Sequence, residues 1–180
     1  MPEPYLRRLA TALIAALGLL AVAGPALATP LPAGGVTAPE VAAVLQAKGY
    51  AAEISKDSDG DPKIRSGAQG SHYSIYFYGC DHAATPRCTS IEFSVGYHIE
   101  GGLTPARINL WNRRNRFGRA YLDNTNDPFV EMDADFEHGA TTEELGANVE
   151  LWDAALSLFR RFLDCAKTPD GQGCDVYKPD

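Results

Sequence analysis

Two cysteines and a histidine stand between two strand-like runs in residues 76–93, YFYGCDHAATPRCTSIEF. Thiolate and imidazole are good zinc ligands, so Cys80, His82 and Cys88 could hold a metal, but a fourth ligand at the usual spacing is missing. A redox pair is less favoured, because the usual spacing Cys-x-x-Cys at a helix start is absent. We favour a disulfide across the mouth of a β-hairpin, where opposed Cβ atoms come within bonding range.

The chain has four cysteines, and the other two are Cys165 and Cys174. In an exported chain they indicate two disulfides, with three possible connectivities that sequence alone cannot separate. Adjacency favours Cys80 with Cys88 and Cys165 with Cys174. The second bridge would tie down the C-terminal tail.

Positive charge is concentrated in residues 106–120, ARINLWNRRNRFGRA, which we call the arginine segment. Guanidinium groups bind carboxylates or phosphates bidentately, so this segment is the candidate binding site. Its candidate residues are Arg107, Asn109, Asn112, Arg113, Arg114, Arg116 and Arg119. The alternative, which we favour, is that the arginines pair with acidic side chains of a neighbouring strand, for instance Arg119 with Glu131. We expect the two asparagines to cap or pin a helix end.

An enzyme is the alternative class of function. A histidine would act as general base beside an acid such as Asp81 or Glu100. The candidates are His72, His82, His98 and His138. The sequence has no nucleophile elbow, metal-ligand trio or phosphate loop, so we predict a non-catalytic protein without a cofactor.

A calcium loop is a further alternative at Asp57, Asp59 and Asp61. Pro62 stands where an EF-hand loop requires glycine, and the distal glutamate is missing. We therefore predict a plain turn between two strands.

The N-terminal residues 1–28 have the features of a secretory signal peptide. Two arginines precede an apolar run of about 15 residues, too short to span a bilayer, and the small-residue pattern Ala26-Leu27-Ala28 follows. Its removal takes away Glu3, Arg7 and Arg8, so the acidic count falls from 23 to 22 and the basic count from 16 to 14. The mature net charge of about −8 disfavours nucleic acid and anionic lipid as partners, because both attract basic proteins. We expect a periplasmic or secreted protein with no membrane span after cleavage.

The elements that would position these residues follow the order α-ββββ-α-ββ-α. Capping boxes at Thr37-x-x-Glu40 and Thr141-x-x-Glu144 predict the starts of the first and last helices, and Thr104-Pro105 opens the second. Alternating apolar residues predict strands that contribute one face each to the core. In the last hairpin we expect Glu131, Asp133 and Asp135 to form a solvated acidic face. The pattern predicts an α+β fold with helices packed on one antiparallel sheet.

These elements define four segments of the chain. A flexible linker is expected at residues 29–36 after the signal peptide at 1–28. The α+β domain covers residues 37–165, and a disulfide-tied tail follows at 166–180.

Five motifs in order resemble the YbjN domain family, whose fold is similar to that of type III secretion chaperones. They are GYAAEI, YSIYFYGC, CTSIEFSVGY, INLWN and RFGRAYLD, within residues 38–162. The family is described as regulating bacterial sensory transduction, and chaperone-like binding is suspected. The resemblance implies this fold and a possible homodimer. No catalytic residues are established for the family. This chain differs from the intracellular members of the family in having a predicted signal peptide.

The sequence therefore predicts a non-catalytic, exported YbjN-like protein of the bacterial cell envelope with a binding, chaperone-like or regulatory role. Its expected partner is a protein or peptide of the envelope. The alternatives are a small periplasmic enzyme and a purely structural, oligomer-forming protein.

Overall fold

The computed structural model describes residues 28–167, which form an α+β fold. Its helices are α1 (Ala38–Ala47), α2 (Pro105–Arg114) and α3 (Thr142–Lys167). Its strands are β1 (Pro30–Leu31), β2 (Val36–Thr37), β3 (Glu53–Lys56), β4 (Pro62–Ala68), β5 (Ser71–Cys80), β6 (Arg87–Gly96), β7 (Arg119–Leu122), β8 (Pro128–Asp135) and β9 (Ala140–Thr141). The longer elements follow the predicted order α-ββββ-α-ββ-α. The predicted signal peptide and tail lie outside the described residues, except for residue 28 and the last residues of α3.

One large antiparallel sheet organises the domain. Its strand order is β3-β4-β5-β6-β8-β7, and the short β2 pairs with β6 beyond the end of β8. Consecutive strands are neighbours from β3 to β6, while β8 lies between β6 and β7. A separate two-stranded sheet joins β1 to β9.

Side-chain alternation gives the large sheet two different faces. The inner face carries apolar side chains such as Ile75, Phe93 and Val130, all of them buried. The helices pack on this face, because each carries an apolar stripe at helical spacing. In the central part of the outer face, the side chains of β4 to β8 are exposed or half-buried apart from Glu131, which is buried. The sheet therefore presents one polar face to solvent in the described part of the chain.

Side-chain caps fix the starts of all three helices. The hydroxyl of Thr37 accepts a hydrogen bond from the Glu40 amide, and the Glu40 carboxylate accepts one from the Thr37 amide, which confirms the predicted capping box. Thr141 and Glu144 form the same reciprocal pair before α3. Thr104 caps α2, whose first residue is a proline.

The long helix α3 lies against the centre of the inner face. Trp152 is fully buried and stacks on Phe93, with ring centroids 5.5 Å apart, while Tyr73 meets the same indole edge-on at 5.5 Å. Nearer the C-terminal end of α3, Phe159 contacts Trp111 of α2 at 4.9 Å. These aromatic contacts join the last helix to both the sheet and α2.

Residues 29–36, predicted as a flexible linker, contain β1 and the start of β2, and both have buried side chains. Leu31 and Val36 are in the core. Gly35 has a φ of +108°, and a Cβ at this position would collide with the Cys88 carbonyl. The glycine thus lets the chain approach β6 closely before α1 begins. The proline and glycine content suggested a linker, whereas the two apolar residues anchor the segment.

No helix among the described residues combines the length and apolar character that crossing a bilayer requires.

Candidate binding surface

The β5–β6 hairpin is closed by the predicted disulfide. Cys80 and Cys88 face each other directly in the strand register, with their Cα atoms 3.9 Å apart, and their sulfur atoms are bonded. The alternative of a zinc site at Cys80, His82 and Cys88 is wrong in this structure, because the two sulfur atoms are bonded to each other. Cys165 is also disulfide-bonded, but Cys174 lies outside the described residues, so that pairing stays a prediction.

Arg87 attaches the loop end of this hairpin to the start of α1. Its guanidinium donates to both carboxylate oxygens of Glu40, at 2.9 and 3.1 Å, and to the Gly35 carbonyl at 2.7 Å. Partial burial works to raise the pKa of Glu40, but the hydrogen bonds from Arg87 and Thr37 outweigh it and lower the pKa below its usual value. Glu40 thus serves both the helix cap and this fork-shaped ion pair.

The arginine segment runs along α2 and through the following turn into β7. Its seven candidate residues do not converge on one site. Arg119 lies on the outer sheet face opposite Glu131, and its Nη2 donates to the Glu131 carboxylate at 2.6 Å. This confirms the cross-strand pair expected from the sequence.

Glu131 is buried rather than solvated, which corrects the prediction of a uniformly solvated acidic face. Its carboxylate also accepts hydrogen bonds from Tyr121 Oη at 2.7 Å and Ser94 Oγ at 3.3 Å. Arg119 and Tyr121 cover it from the edge strand, and a buried carboxylate is stable there because it has a cation and two hydroxyl donors. Asp133 and Asp135 are exposed as expected.

Glu92 lies beside this cluster on β6. Its pKa is raised, first by burial and then by the negative charges of Glu131 and Asp133. The hydroxyl of Tyr78 donates to Glu92 at 3.4 Å, and burial together with the charge of Glu92 raises the pKa of Tyr78 to about 12. The acidic side of the outer face therefore carries more negative charge than Arg119 neutralises.

Asn112 completes the edge of the sheet. Its amide nitrogen donates to the Ala120 carbonyl at 3.0 Å, and its amide oxygen accepts from the Ala120 N–H at 2.9 Å. The side chain thus satisfies the backbone of β7 much as a further strand would. The side chain holds α2 in place, as predicted, but its partner is the strand β7. Trp111 supports the same junction by donating from its indole nitrogen to the Gly118 carbonyl at 2.7 Å.

The remaining arginines lie around the C-terminal end of α2. Arg113, Arg114 and Arg116 are exposed, and so is Asn109, whereas Arg107 is half-buried. Arg116 packs its guanidinium over the Phe117 ring, 5.1 Å from the centroid. Arg113 and Arg116 form no ion pair with any described residue. The segment therefore divides into a structural half, containing Asn112 and Arg119, and an exposed basic half.

Among the four candidate histidines, His98 has a side-chain partner in the structure. His98 Nδ1 lies 2.9 Å from Asp127, not from the predicted Glu100, and this contact raises the pKa of His98. The predicted acid Asp81 accepts hydrogen bonds from backbone amides of the disulfide loop. The described residues contain no cluster of three or more side chains suited to a metal ion.

The aspartate triplet forms the predicted turn. One carboxylate oxygen of Asp57 accepts hydrogen bonds from the amides of Asp59 and Asp61. This arrangement is typical of an Asx turn between two strands.

Comparison with known proteins identifies the family to which this α+β domain belongs. Residues 37–164 match the model of a family described as "Putative bacterial sensory transduction regulator". The match covers more than half of the chain, so the chain belongs to the YbjN family, as the five motifs predicted. No curated protein and no solved structure matches it.

Proposed function

We propose that this chain is an exported, non-catalytic member of its family that binds an acidic protein or peptide of the bacterial cell envelope through the exposed basic half of the arginine segment. The family assignment supports a regulatory role and names no enzyme. The observation that carries the proposal is the exposure of Arg113 and Arg116 without an ion pair among the described residues. On a protein of net negative charge, uncompensated guanidinium groups fit a carboxylate-bearing partner.

Two features support binding by this surface over a purely structural role. Asn112 already holds α2 to β7, and Arg119 holds β7 to β8, so the neighbouring arginines are not needed for these junctions. Arg116 is held over an exposed aromatic ring, which keeps a cation beside an apolar surface. An acidic peptide with an apolar side chain would contact both.

The test uses a double variant, Arg113→Gln with Arg116→Gln, and a synthetic acidic peptide of glutamate and leucine as the probe. Arg114 is left unchanged because it has an interaction of its own. The matched control is Lys56→Gln with Arg161→Gln, which removes two exposed charges elsewhere. We expect the double variant to bind the peptide about tenfold more weakly and with a flatter salt dependence, while the control binds normally. Equal affinity of both variants, or no binding by the parent protein, would refute the proposal.

Export is tested separately. Expression of the full chain in a bacterium should yield a periplasmic or released protein whose N-terminus is Thr29. A cytoplasmic protein that retains residues 1–28 would contradict this part of the proposal.

A further inference from the structure

The outer face of the large sheet carries its charges in rows that cross the strands. Residues opposite each other in an antiparallel register point to the same side, so the register defines these rows. One row contains, from β3 to β8, Ser55, Lys63, Tyr76, Glu92 and Asp133. The next row contains, from β3 to β7, Glu53, Arg65, Ser74, Ser94, Glu131 and Arg119.

The signs of these charges invert across the midline of the sheet, which passes between β5 and β6. In the first row, Lys63 on β4 and Asp133 on β8 lie equally far from the midline, because each is on the second strand from it. In the second row, Arg65 on β4 corresponds to Glu131 on β8 in the same way. On the third strand from the midline the signs are exchanged: the acidic residue, Glu53, is on β3, and the basic residue, Arg119, is on β7.

We propose that two copies of this chain associate through their outer sheet faces about a twofold axis parallel to the strands between β5 and β6, because this rotation brings every charge of the two rows except Glu92 over an opposite charge. The rotation keeps the position along the strands and exchanges the two sides of the midline. It places β4 of one copy over β8 of the other, and β3 over β7. The surface is self-complementary, as an isologous interface must be.

The contacts follow from the rows. Lys63 lies over Asp133 of the second copy, and Tyr76 lies over Glu92 of the second copy, towards which its hydroxyl can donate. Arg65 of the first copy lies over Glu131 of the second copy, whose carboxylate is partly covered by its own Arg119 and Tyr121. Arg119 of the second copy lies over Glu53 of the first. The existing Arg119–Glu131 pair thereby becomes part of a chain of four alternating charges. The excess negative charge around Glu92 is offset by the basic side of the other copy.

A third row of the outer face carries a stacked aromatic pair. In this row, two residues further along the strands, Gly67 stands on β4 and Phe129 on β8. The Phe129 ring lies across Gly96 of the adjacent strand β6, where a Cβ would come within 2.4 Å of the ring. The Tyr121 ring stacks on Phe129 with centroids 5.3 Å apart and fixes its orientation. The strand directions of the two sheets remain aligned, which is a common geometry for sheets packed about 10 Å apart.

The size of the interface indicates a reversible dimer. Six strands about 4.8 Å apart, with three rows of side chains, give a face of roughly 25 Å by 20 Å. Two such faces bury on the order of 1,000 Å² in total, near the lower limit for specific association. Since the contacts are mainly ionic, the dimer should dissociate as salt is raised.

The test is sedimentation velocity of the disulfide-intact protein over a range of concentrations, with two charge-reversal variants. In Lys63→Glu, both contacts with Asp133 become acid against acid, and in Asp133→Lys both become base against base. We expect each variant alone to dimerise at least about tenfold more weakly than the parent protein. An equimolar mixture should dimerise like the parent. In the mixed dimer the introduced glutamate of one copy faces the introduced lysine of the other, and the second contact is the native pair.

The mixture also shows that the variants remain folded, since unfolded chains could not restore association. Arg161→Glu and Asp59→Lys reverse exposed charges away from the outer face and should dimerise normally. A parent protein that stays monomeric at about 1 mM, oligomers larger than two, or variants that fail to recover on mixing would each overturn the proposal. The arginines of the proposed peptide site do not take part, so the two proposals fail independently.

Discussion

At the scale of single residues, two polar groups at the β7 edge are satisfied by the arginine segment. The buried Glu131 carboxylate accepts from Arg119, and the backbone of the buried Ala120 is paired with the Asn112 amide. Buried polar groups without partners are costly, so these two side chains are required by the fold. Their residue types would equally suit a ligand site, which is why the sequence alone supported both interpretations.

The change Asn112→Ala should lower the free energy of unfolding by about 1 to 3 kcal/mol, because it leaves an N–H and a carbonyl of Ala120 without partners. Asn109→Ala, in the same helix at an exposed position, is the matched control and should change it by less than about 0.5 kcal/mol. Denaturant unfolding of both variants is the measurement. Equal effects would show that the amide does not hold β7.

Tyr78 is about half exposed, and it should ionise at a pH of about 12 because partial burial of the side chain and the adjacent Glu92 disfavour the phenolate. The folded pKa lies above the ordinary value of 10, so the stability that this group contributes is complete below pH 10 and is lost as the pH rises towards 12. The ultraviolet titration of the parent protein minus that of Tyr78→Phe isolates this group. Glu92→Gln should shift the difference curve to lower pH, whereas a midpoint near 10 in the parent would contradict the proposed environment.

At the scale of secondary-structure elements, α3 is positioned by the aromatic side chains beneath it. Trp152 contacts Tyr73 of β5 and Phe93 of β6, so one residue joins the helix to the two central strands. Its indole nitrogen has no hydrogen-bond partner among the described residues. The contribution of Trp152 is therefore one of packing and shape.

Trp152→Ala should lower the free energy of unfolding by about 3 to 5 kcal/mol, because it empties the centre of the core. Trp152→Phe should cost clearly less, since the ring contacts are partly kept and no hydrogen bond is lost. Leu158→Ala, at an exposed position of the same helix, should have little effect. Thermal or denaturant unfolding checks this order, and a parent-like midpoint for Trp152→Ala would show that α3 is not docked in this way.

At the scale of the whole molecule, most of the architecture follows from local patterns in the sequence. The capping residues Thr37 and Thr141 mark the starts of α1 and α3, and apolar alternation identifies the inner face of every long strand. The pairing of β2 with β6 and of β1 with β9 could not be predicted, because two-residue strands have no periodicity. Nor could the burial of Glu131, which depends on Arg119 and Tyr121 of the neighbouring strand.

The cysteines provide a test of the entire exported chain. Protein recovered from the periplasm should have a mass four hydrogens below that of its reduced form, and peptide mapping should link Cys80 to Cys88 and Cys165 to Cys174. The first link is present in the structure, while the second is predicted from adjacency. Free thiols in the recovered protein, or bound zinc, would contradict the prediction.

The amide of Asn112 also bears on polymer growth. A sheet with two open edges can be extended without limit by identical molecules, since each addition leaves a new open edge for the next. Here the β7 edge is occupied at Ala120 by a side chain of the same molecule, which leaves the β3 edge of the described sheet for lateral addition. Two molecules joined through their β3 edges would have no second open edge of this sheet, so lateral growth would stop at a pair instead of continuing into a ribbon.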